Sequence, residues 1–292
     1  MEKKGFIYIG LTYVLWGFLP LYWKMIVGLK PMMIFSYRIV MSLVLVMAIL
    51  FYRKQVREFF GLLKDFNTMK RLVTSSLLIS INWYLFIYAV TTGNILQSSM
   101  GYYMTPLVMI LIGIFILREK MARYEKMAVI FAAIGIGIMI FKYGEIPYIA
   151  LGLALSFAFY GLVKKTSKVN YMLSLGWETG IVLPIVLFII FKGEVAGDGL
   201  LAMKSQSQVL LIAFSGVMTA VPLMLYGKGA PMLSMTSLGF MQFIAPTIQF
   251  FLAITVGGET LGVNDLISFG GIWIGLVVFS VGKMINIRKV KY

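Results

Sequence analysis

Long stretches of apolar residues, separated by short polar segments, make up most of the chain. Runs such as LVLVMAILFY and GIVLPIVLFIIF do not alternate apolar and polar positions, so they do not fit the strands of a membrane barrel. A helix needs about 20 apolar residues to cross a hydrocarbon layer of roughly 30 Å. The pattern therefore predicts ten transmembrane helices, over residues 6–27, 32–52, 71–90, 96–117, 125–141, 147–163, 171–191, 209–226, 234–256 and 263–283.

The composition supports an all-α integral membrane protein in the lipid bilayer of the cell membrane. Of the 292 residues, 60% are hydrophobic and 13% are charged, and the mean hydropathy is +0.92. A soluble domain cannot bury so many apolar side chains in one core. Two lysines precede the first apolar run, as in a signal peptide, but the run is too long and lacks a small-residue cleavage site. We therefore expect it to be the first helix.

The formal net charge of +15 comes from basic residues dispersed among short loops, which argues against a nucleic-acid partner. Cytoplasmic loops of membrane proteins are enriched in Lys and Arg. Placing the N-terminus in the cytoplasm puts twenty of the 26 basic residues on that side and five outside, and leaves Arg38 within a span. With ten spans, both termini are predicted to be cytoplasmic.

An internal repeat relates the two halves of the chain. Pro106 and Glu119 are thirteen residues apart, as are Pro246 and Glu259, and a shift of 140 residues superimposes the two pairs. The pattern predicts two five-helix repeats, residues 1–142 and 143–292. Because five is odd, the second repeat enters the membrane from the opposite face. The basic loop REKMARYEK is therefore predicted to be cytoplasmic, and its counterpart GGETLGVND, which has no basic residue, is predicted to be external. Inverted repeats are typical of secondary transporters.

Several motifs carry a resemblance to a known family. The stretches YVLWGFLPLYWK, SYRIVMS, INWYLF, QSSMGYYMTPLVMILIGIFILREKM and GWETGIVLP resemble the RarD-type branch of the EamA drug/metabolite transporter superfamily. The resemblance implies ten helices in two inverted repeats and the transport of small metabolites or drug-like solutes through a central cavity. It implies no particular solute. Tyr37 stands before the arginine of the second span, where the family often has His, and this departure weakens a proton-coupling role there.

Enzymatic chemistry is not expected. The chain has no Cys and no His, and it lacks G-x-S-x-G, H-E-x-x-H and G-x-x-x-x-G-K-[ST] motifs. These features predict neither a cofactor nor a metal site. A secondary transporter, exporting or facilitating by alternating access, is therefore the leading interpretation. Lipid scrambling, ion conduction and a receptor or assembly role are the alternatives.

Polar and aromatic residues in matched spans are the candidates for the solute site. Side chains near an inverted-repeat axis are expected to come from equivalent helices of both halves. Trp16 and Tyr160 match at an offset of 144, and Tyr102 and Gln242 match at 140. Asn82 in the third span is the counterpart of Pro222 in the eighth. These residues predict one central, aromatic-walled cavity for a neutral or zwitterionic solute, lined by Trp16, Asn82, Tyr102, Tyr160 and Gln242.

Arg38 and Glu178 are the charges placed clearly inside predicted spans, where ionised groups need a partner or a water-filled cavity. We expect them in opposite halves of the bilayer, each hydrogen-bonded within its own repeat. Glu178 would carry a coupled proton if burial favours its neutral form, and Arg38 would attract an anionic group. Proton coupling stays open, since the spans show no relay of carboxylates and histidines.

Prolines and small residues mark predicted bends and contacts. Proline within a helix removes a hydrogen bond and bends it, so we expect hinges or kinks at Pro20, Pro106, Pro222 and Pro246. Small residues at four-residue spacing allow helices to approach closely. Ala133 with Gly137 and Gly271 with Gly275 have this spacing, and predict either packing within one chain or a dimer face; the oligomeric state is left undetermined.

Overall fold

The computed structural model describes residues 2–92, 94–202, 205–256 and 263–289, and within these ranges the regular structure is helical, with no strand. Short 3₁₀ turns cover Leu62–Lys64, Leu200–Ala202 and Ala230–Met232. The α-helices are α1 Glu2–Lys24, α2 Pro31–Tyr52, α3 Val56–Gly61, α4 Phe66–Thr91, α5 Ile95–Phe115, α6 Arg123–Tyr143, α7 Tyr148–Thr166, α8 Tyr171–Val195, α9 Gln206–Gly229, α10 Met235–Gln242, α11 Ile244–Thr255 and α12 Val263–Lys289.

The helices coincide with the predicted membrane segments. Among the described residues, nine helical stretches are long and apolar enough to cross a membrane, judged by length and composition, and a shorter apolar helix covers Phe269–Ile285. The stretch over the predicted ninth segment, Met235–Leu252, combines α10 and α11. The all-helical, multi-pass architecture is therefore confirmed. The count of ten spans and their inverted relation stay predictions.

Helix ends follow local sequence signals. Pro31 occupies the first turn of α2, where its missing N–H removes no helical hydrogen bond. The Asp65 carboxylate accepts hydrogen bonds from the backbone N–H groups of Asn67 and Thr68 and from the Thr68 hydroxyl. These bonds, that of the Thr68 hydroxyl first, hold the pKa of Asp65 below its ordinary value. Gly144 ends α6 at a φ of 80°, a conformation that glycine adopts without strain.

The first compact unit contains Met1–Ser80 and Val163–Met232. Within it, α2 packs against α8 and α9, and α1 packs against α9. Gly216 permits the close approach of α9 to α2, because a methyl group there would lie 2.5 Å from the carbonyl oxygen of Met41. The short helix α3 is held by Trp177, whose indole N–H donates to the Phe59 carbonyl and whose ring stacks on Phe59 at 4.8 Å.

The second compact unit contains Ile81–Leu162 and Leu233–Tyr292. Its main helix contacts are α6 with α12 and α5 with α10. A methyl group at Gly275 would lie 2.7 Å from the Ala128 carbonyl oxygen, and one at Gly239 would lie 2.7 Å from the Pro106 carbonyl oxygen. Small residues therefore set both helix spacings. The unit's core clusters buried apolar side chains of α5, α6 and α10, including Met100, Ile110, Ala132, Ile136 and Phe240.

The units do not coincide with the sequence halves. The first takes α1 to α3 and the start of α4 from residues 1–142, and α8 and α9 from residues 143–292. The second likewise draws α5 and α6 from one half and α10 to α12 from the other. Repeats are defined by similarity between segments, whereas compact units are defined by contacts between helices. The units therefore do not test the repeat boundary at residue 142, which stays a prediction.

Candidate functional site

Trp16 lies in an aromatic cluster of the first unit. Its ring is 5.5 Å from that of Tyr13 and 5.9 Å from that of Tyr226, and Tyr13 and Tyr226 contact each other at 6.3 Å. Both tyrosines are buried, whereas Trp16 is half-buried. Trp16 is therefore the member of this cluster whose ring has the larger exposed face.

Asn82 lies in the second unit and connects α4 to α7. Its side-chain Nδ2 donates to the Leu153 carbonyl at 2.9 Å and lies 3.1 Å from the Ser156 hydroxyl. The residue is 5% exposed. Because an amide nitrogen carries two hydrogens, these two bonds use its whole donor capacity. A solute at Asn82 would therefore meet the Oδ1 acceptor rather than the donor.

Tyr102 and Tyr160 flank this contact on neighbouring helices. Tyr102 of α5 is half-buried, and its ring is 6.0 Å from Phe86, which lies one turn beyond Asn82 on α4. Tyr160 is one turn beyond Ser156 on α7 and is buried, with its ring 5.8 Å from Phe157. Asn82, Tyr102 and Tyr160 thus all belong to the second unit, on α4, α5 and α7.

Gln242 marks an interruption in the predicted ninth span. It is the last residue of α10 and α11 starts at Ile244, while Phe243 between them keeps helical angles (φ −63°, ψ −14°), so the interruption is a bend and not an unwound segment. Pro246 lacks the N–H that a continuous helix would direct at the Gln242 carbonyl. The same loss at Pro106 and Pro222 leaves α5 and α9 unbroken. On the neighbouring α5, the Tyr103 hydroxyl donates to the Pro246 carbonyl at 3.2 Å. Gln242, 5% exposed, lies between that contact and the Gly239 contact with α5.

Glu178 is the centre of a buried polar cluster in the first unit. Its Oε1 is 2.6 Å from the Lys164 ammonium, 2.9 Å from the Ser174 hydroxyl and 2.8 Å from the Ser75 hydroxyl. Lys164 Nζ also donates to Ser174 Oγ at 2.8 Å, and Ser76 donates to the Glu178 backbone carbonyl. Lys164 and Glu178 are 4% and 2% exposed. The Glu178 carboxylate thus already has an ammonium and two hydroxyl groups as partners within the first unit.

Arg38 has aromatic neighbours. Its guanidinium carbon is 5.7 Å from the Trp23 ring centroid and 5.1 Å from that of Phe35. Aromatic faces stabilise a guanidinium. These two rings belong to the first half of the chain, and the hydrogen bonding of Arg38 within its own repeat stays a prediction. Glu178 does not keep to its own half, since Ser75 belongs to residues 1–142.

At three of the four predicted proline bends, the proline carbonyl contacts a neighbouring helix. The carbonyl of Pro222 accepts a hydrogen bond from Thr12 at 3.3 Å, and that of Pro246 accepts one from Tyr103. The carbonyl of Pro106 lies against Gly239. Pro20 lies inside α1. These contacts show close packing at proline-bearing turns, and hinge motion stays a prediction.

The sequence did not identify two contributors to this chemistry. Lys164 was assigned to a cytoplasmic loop, but it is buried in the last turn of α7 beside Glu178. Glu119 was used only as a repeat marker, but its carboxylate accepts hydrogen bonds from the N–H groups of Met235 and Thr236. An adjacent lysine pair at a helix end gives no signal that one of them is buried. Glu259, the matching acidic residue, lies outside the described residues.

Known proteins resemble the chain over nearly its whole length. The EamA-like transporter family matches residues 3–141. The uncharacterized transporter YojE of Bacillus subtilis (strain 168) is 38% identical over 286 residues, covering 97% of this chain and 95% of YojE. Protein RarD of Salmonella typhi is 35% identical over 287 residues, covering 98% of both chains. This chain belongs to the EamA-like transporter family. Within that family it is RarD-like, as the sequence motifs predicted, and it is a membrane transporter by kinship.

The fold of this EamA-like chain also has a solved counterpart. A crystal structure of a protein with 14% sequence identity has a TM-score of 0.71, covering 94% of this chain and 96% of the other. At that identity the likeness concerns the fold alone. Protein RarD of Escherichia coli (strain K12), at 33% identity over 98% of this chain, extends the sequence kinship to a second enterobacterial RarD.

Proposed function

We propose that this RarD-like chain is a secondary transporter that moves small organic solutes across the cell membrane by alternating access, as an exporter or facilitator. Relatives of nearly equal length are named as transporters, which supports transport as the general role. Both termini are taken as cytoplasmic, from the distribution of basic residues.

The observation that carries the proposal is the interruption between α10 and α11 at Gln242. In transporters built from inverted repeats, discontinuities of helices near the membrane midplane contribute to the solute site, and the bend at Gln242 is taken here as such a discontinuity. Gln242 supplies an amide there, and α5 packs against the same broken helix with Tyr102 one turn before Pro106. The proposed site in the second unit comprises Asn82, Tyr102, Tyr160 and Gln242.

The packing of matched helices supports the inverted repeat. Predicted spans 2 and 7, 4 and 9, and 5 and 10 correspond to α2 with α8, α5 with α10, and α6 with α12. Each of these pairs is in contact. A two-fold axis in the membrane plane brings equivalent helices together in this way. The contacts of α9 with α1 and α2 lie outside this five-span offset and are additional to it.

The chemistry of these residues favours a neutral or zwitterionic solute. The proposed site has two aromatic rings and two amides, from Tyr102, Tyr160, Asn82 and Gln242. The buried charges of Lys164 and Glu178 are already paired with each other. An aromatic surface with a few directional polar groups suits an amphipathic small molecule. Proton coupling is not part of this proposal, because Glu178 has an ammonium partner.

The test is solute flux in vesicles reconstituted with purified protein, using radiolabelled amino acids, nucleobases and cationic dyes as probes. Removing an aromatic contact is expected to cost about 1 to 3 kcal/mol, or roughly a five- to hundred-fold loss of affinity. We expect Tyr102→Ala and Gln242→Ala to show that loss. Trp16→Ala, in the first unit, tests the predicted participation of that ring.

Leu111→Ala is the matched control, because Leu111 is on α5 like Tyr102 and is 47% exposed. If all three variants transport like this control, the solute does not use these residues. An absence of saturable flux for every probe with the wild-type protein would instead favour lipid scrambling or a receptor role.

A further inference from the structure

Two helices, α4 and α7, contribute to both compact units. The division between units falls after Ser80 in α4 and after Leu162 in α7. Both helices carry residues of the proposed solute site in the second unit, Asn82 on α4 and Tyr160 on α7. The way in which α4 and α7 are anchored in the first unit therefore bears on the placement of these two side chains.

The Glu178 cluster lies at these anchoring points. Ser75 is five residues before the division in α4, and Lys164 is the second residue after the division in α7. Both side chains bind the same oxygen, Oε1 of Glu178, at 2.8 and 2.6 Å. A shared acceptor links the two helices, since neither can shift along α8 without breaking its bond to the carboxylate. The Ser174 hydroxyl of α8 is hydrogen-bonded to both the Lys164 ammonium and the Glu178 carboxylate, which adds a third connection between them.

A second tie joins the same helices further along. Asn82 of α4 donates to Leu153 O and bonds to Ser156 Oγ of α7. From Ser75 to Asn82 is seven residues and from Ser156 to Lys164 is eight, which correspond to about 10 and 12 Å of helix at 1.5 Å per residue. The two ties are thus nearly the same distance apart on both helices. Each tie, within its own unit, restrains the sliding of α4 against α7.

The cluster is a costly way to stabilise a fold. Taking two charges out of water opposes their mutual attraction, and apolar side chains of similar volume are often as stabilising as a buried ion pair. In some proteins, buried polar or ionic groups instead specify one arrangement of the groups around them. Here the groups so arranged are three helices, two of which lead to the solute site.

We propose that Lys164, Ser75 and Ser174 are positioning residues which, through Glu178, hold α4 and α7 on α8 and thereby set the places of Asn82 and Tyr160 for solute binding. The effect on solute binding rests on the proposed transport function, whereas the positions of the helices do not. Lys164 thereby has a role that a topology-determining loop lysine would not have.

Spin labels provide a test that needs no solute. The chain has no Cys, so cysteines introduced at Leu77 of α4 and Ile185 of α8, which are 54% and 63% exposed, can be labelled uniquely. Electron–electron distance measurements in vesicles are expected to give one narrow distribution for the parent. Glu178→Gln and Lys164→Met should each shift or broaden it, and the exchange of charges, Lys164→Glu with Glu178→Lys, should restore it.

Folding and transport are measured alongside. Each single neutralisation leaves one buried charge unpaired and is expected to lower the melting temperature by roughly 10 °C. The double variant Lys164→Met with Glu178→Met removes both charges and keeps the protein folded for comparison. Uptake of tritiated leucine, an apolar zwitterion, is expected to show a KM raised about ten-fold in this double variant and recovered in the charge exchange.

Lys168→Met and Glu145→Gln are the matched controls, since both residues are exposed. Distance distributions that stay at the parent's position and width in both single variants would overturn the proposal, whatever the leucine result. Restored stability in the double variant together with an unchanged KM and distribution would also overturn it, by leaving the cluster a purely structural role. A parent that takes up no leucine, with distributions that respond as expected, would fault only the transport assignment.

Discussion

Glu119 has its binding partners far from it in sequence. It follows α5, yet its carboxylate accepts hydrogen bonds from Met235 N at 2.7 Å and from Thr236 N and Oγ1 at 3.1 Å, at the start of α10. The first N–H groups of a helix have no partner within it, and a negative charge there is stabilised by the helix dipole. Gly113 leaves room for this carboxylate, because a methyl group there would lie 2.8 Å from Glu119 Oε2.

Substitution of Glu119 should therefore destabilise the protein. In Glu119→Ala, two buried backbone N–H groups lose their acceptor, and we expect a loss of about 2 kcal/mol in the free energy of unfolding. Glu119→Gln keeps one acceptor oxygen and should lose less. Thermal unfolding followed by tryptophan fluorescence in detergent measures both changes.

The control is Glu145→Ala, because Glu145 is an exposed acid that follows α6. Equal melting temperatures for Glu119→Ala and this control would mean that the carboxylate contributes nothing to the start of α10.

The helix pair α6 and α12 shows which small residues make a contact. Gly271 approaches Gly135 and the Phe131 carbonyl, and Gly275 approaches Ala128 and Ala132. Gly137, by contrast, has nothing within 4 Å of where a methyl group would lie, and Ala133 is exposed. Packing within one chain is therefore correct for Gly271 and Gly275, but the residues of α6 that meet them are not the predicted pair.

Substitution by alanine should have opposite effects on stability at a glycine that contacts a neighbouring helix, Gly275, and at one that does not, Gly137. Gly275→Ala places a carbon 2.7 Å from the Ala128 carbonyl oxygen, so the helices must move apart, at an expected cost of about 1 to 3 kcal/mol. Gly137→Ala meets no neighbour and should be neutral or stabilising by up to about 1 kcal/mol, since alanine favours helix more than glycine does. Melting temperatures of the two variants give the comparison. A Gly275→Ala protein as stable as Gly137→Ala would contradict the close packing of α6 and α12.

The chain as a whole interleaves its two halves. Both compact units combine helices from residues 1–142 with helices from residues 143–292. Neither half makes its main helix contacts alone, because α2 packs on α8 and α9, and α6 packs on α12. A separately expressed half would expose the glycine and alanine surfaces that these contacts cover.

Orientation in the membrane is open to a direct measurement. The charge distribution predicts that the segment between α5 and α6 is cytoplasmic and that the segment between α6 and α7 is external. In intact cells, a membrane-impermeant maleimide should label Glu145→Cys and spare Lys120→Cys until the membrane is opened. Both parent residues are exposed, and the chain has no other cysteine to react. Labelling of Lys120→Cys alone in intact cells would reverse the predicted topology.

The candidate site was only partly accessible from sequence. Polar residues inside apolar runs stand out, which is why Asn82, Gln242 and Glu178 were found. The partners of Asn82 and Glu178 were not, because Leu153 and Ser156 are remote in the chain and Lys164 looks like an ordinary helix-end lysine. Hydrogen-bond partners between helices depend on rotation and depth, and an apolar sequence with little amphipathic pattern specifies neither.

The sequence by itself determined the helical, multi-pass architecture and the family, since crossing a hydrocarbon layer leaves a long apolar segment almost no choice but a helix. It also predicted a bend in the ninth span at Pro246, because proline removes one helical hydrogen bond wherever the helix is placed. Only the structure shows that the helix is interrupted here, since α5 and α9 continue through Pro106 and Pro222. Only the tertiary structure decided that Lys164 is buried with Glu178, that Glu119 binds α10 and that Gly275 rather than Gly137 meets a neighbour. Those outcomes depend on which helix faces pack together, and packing between apolar helices is decided by shape at short range, which residue type alone does not encode.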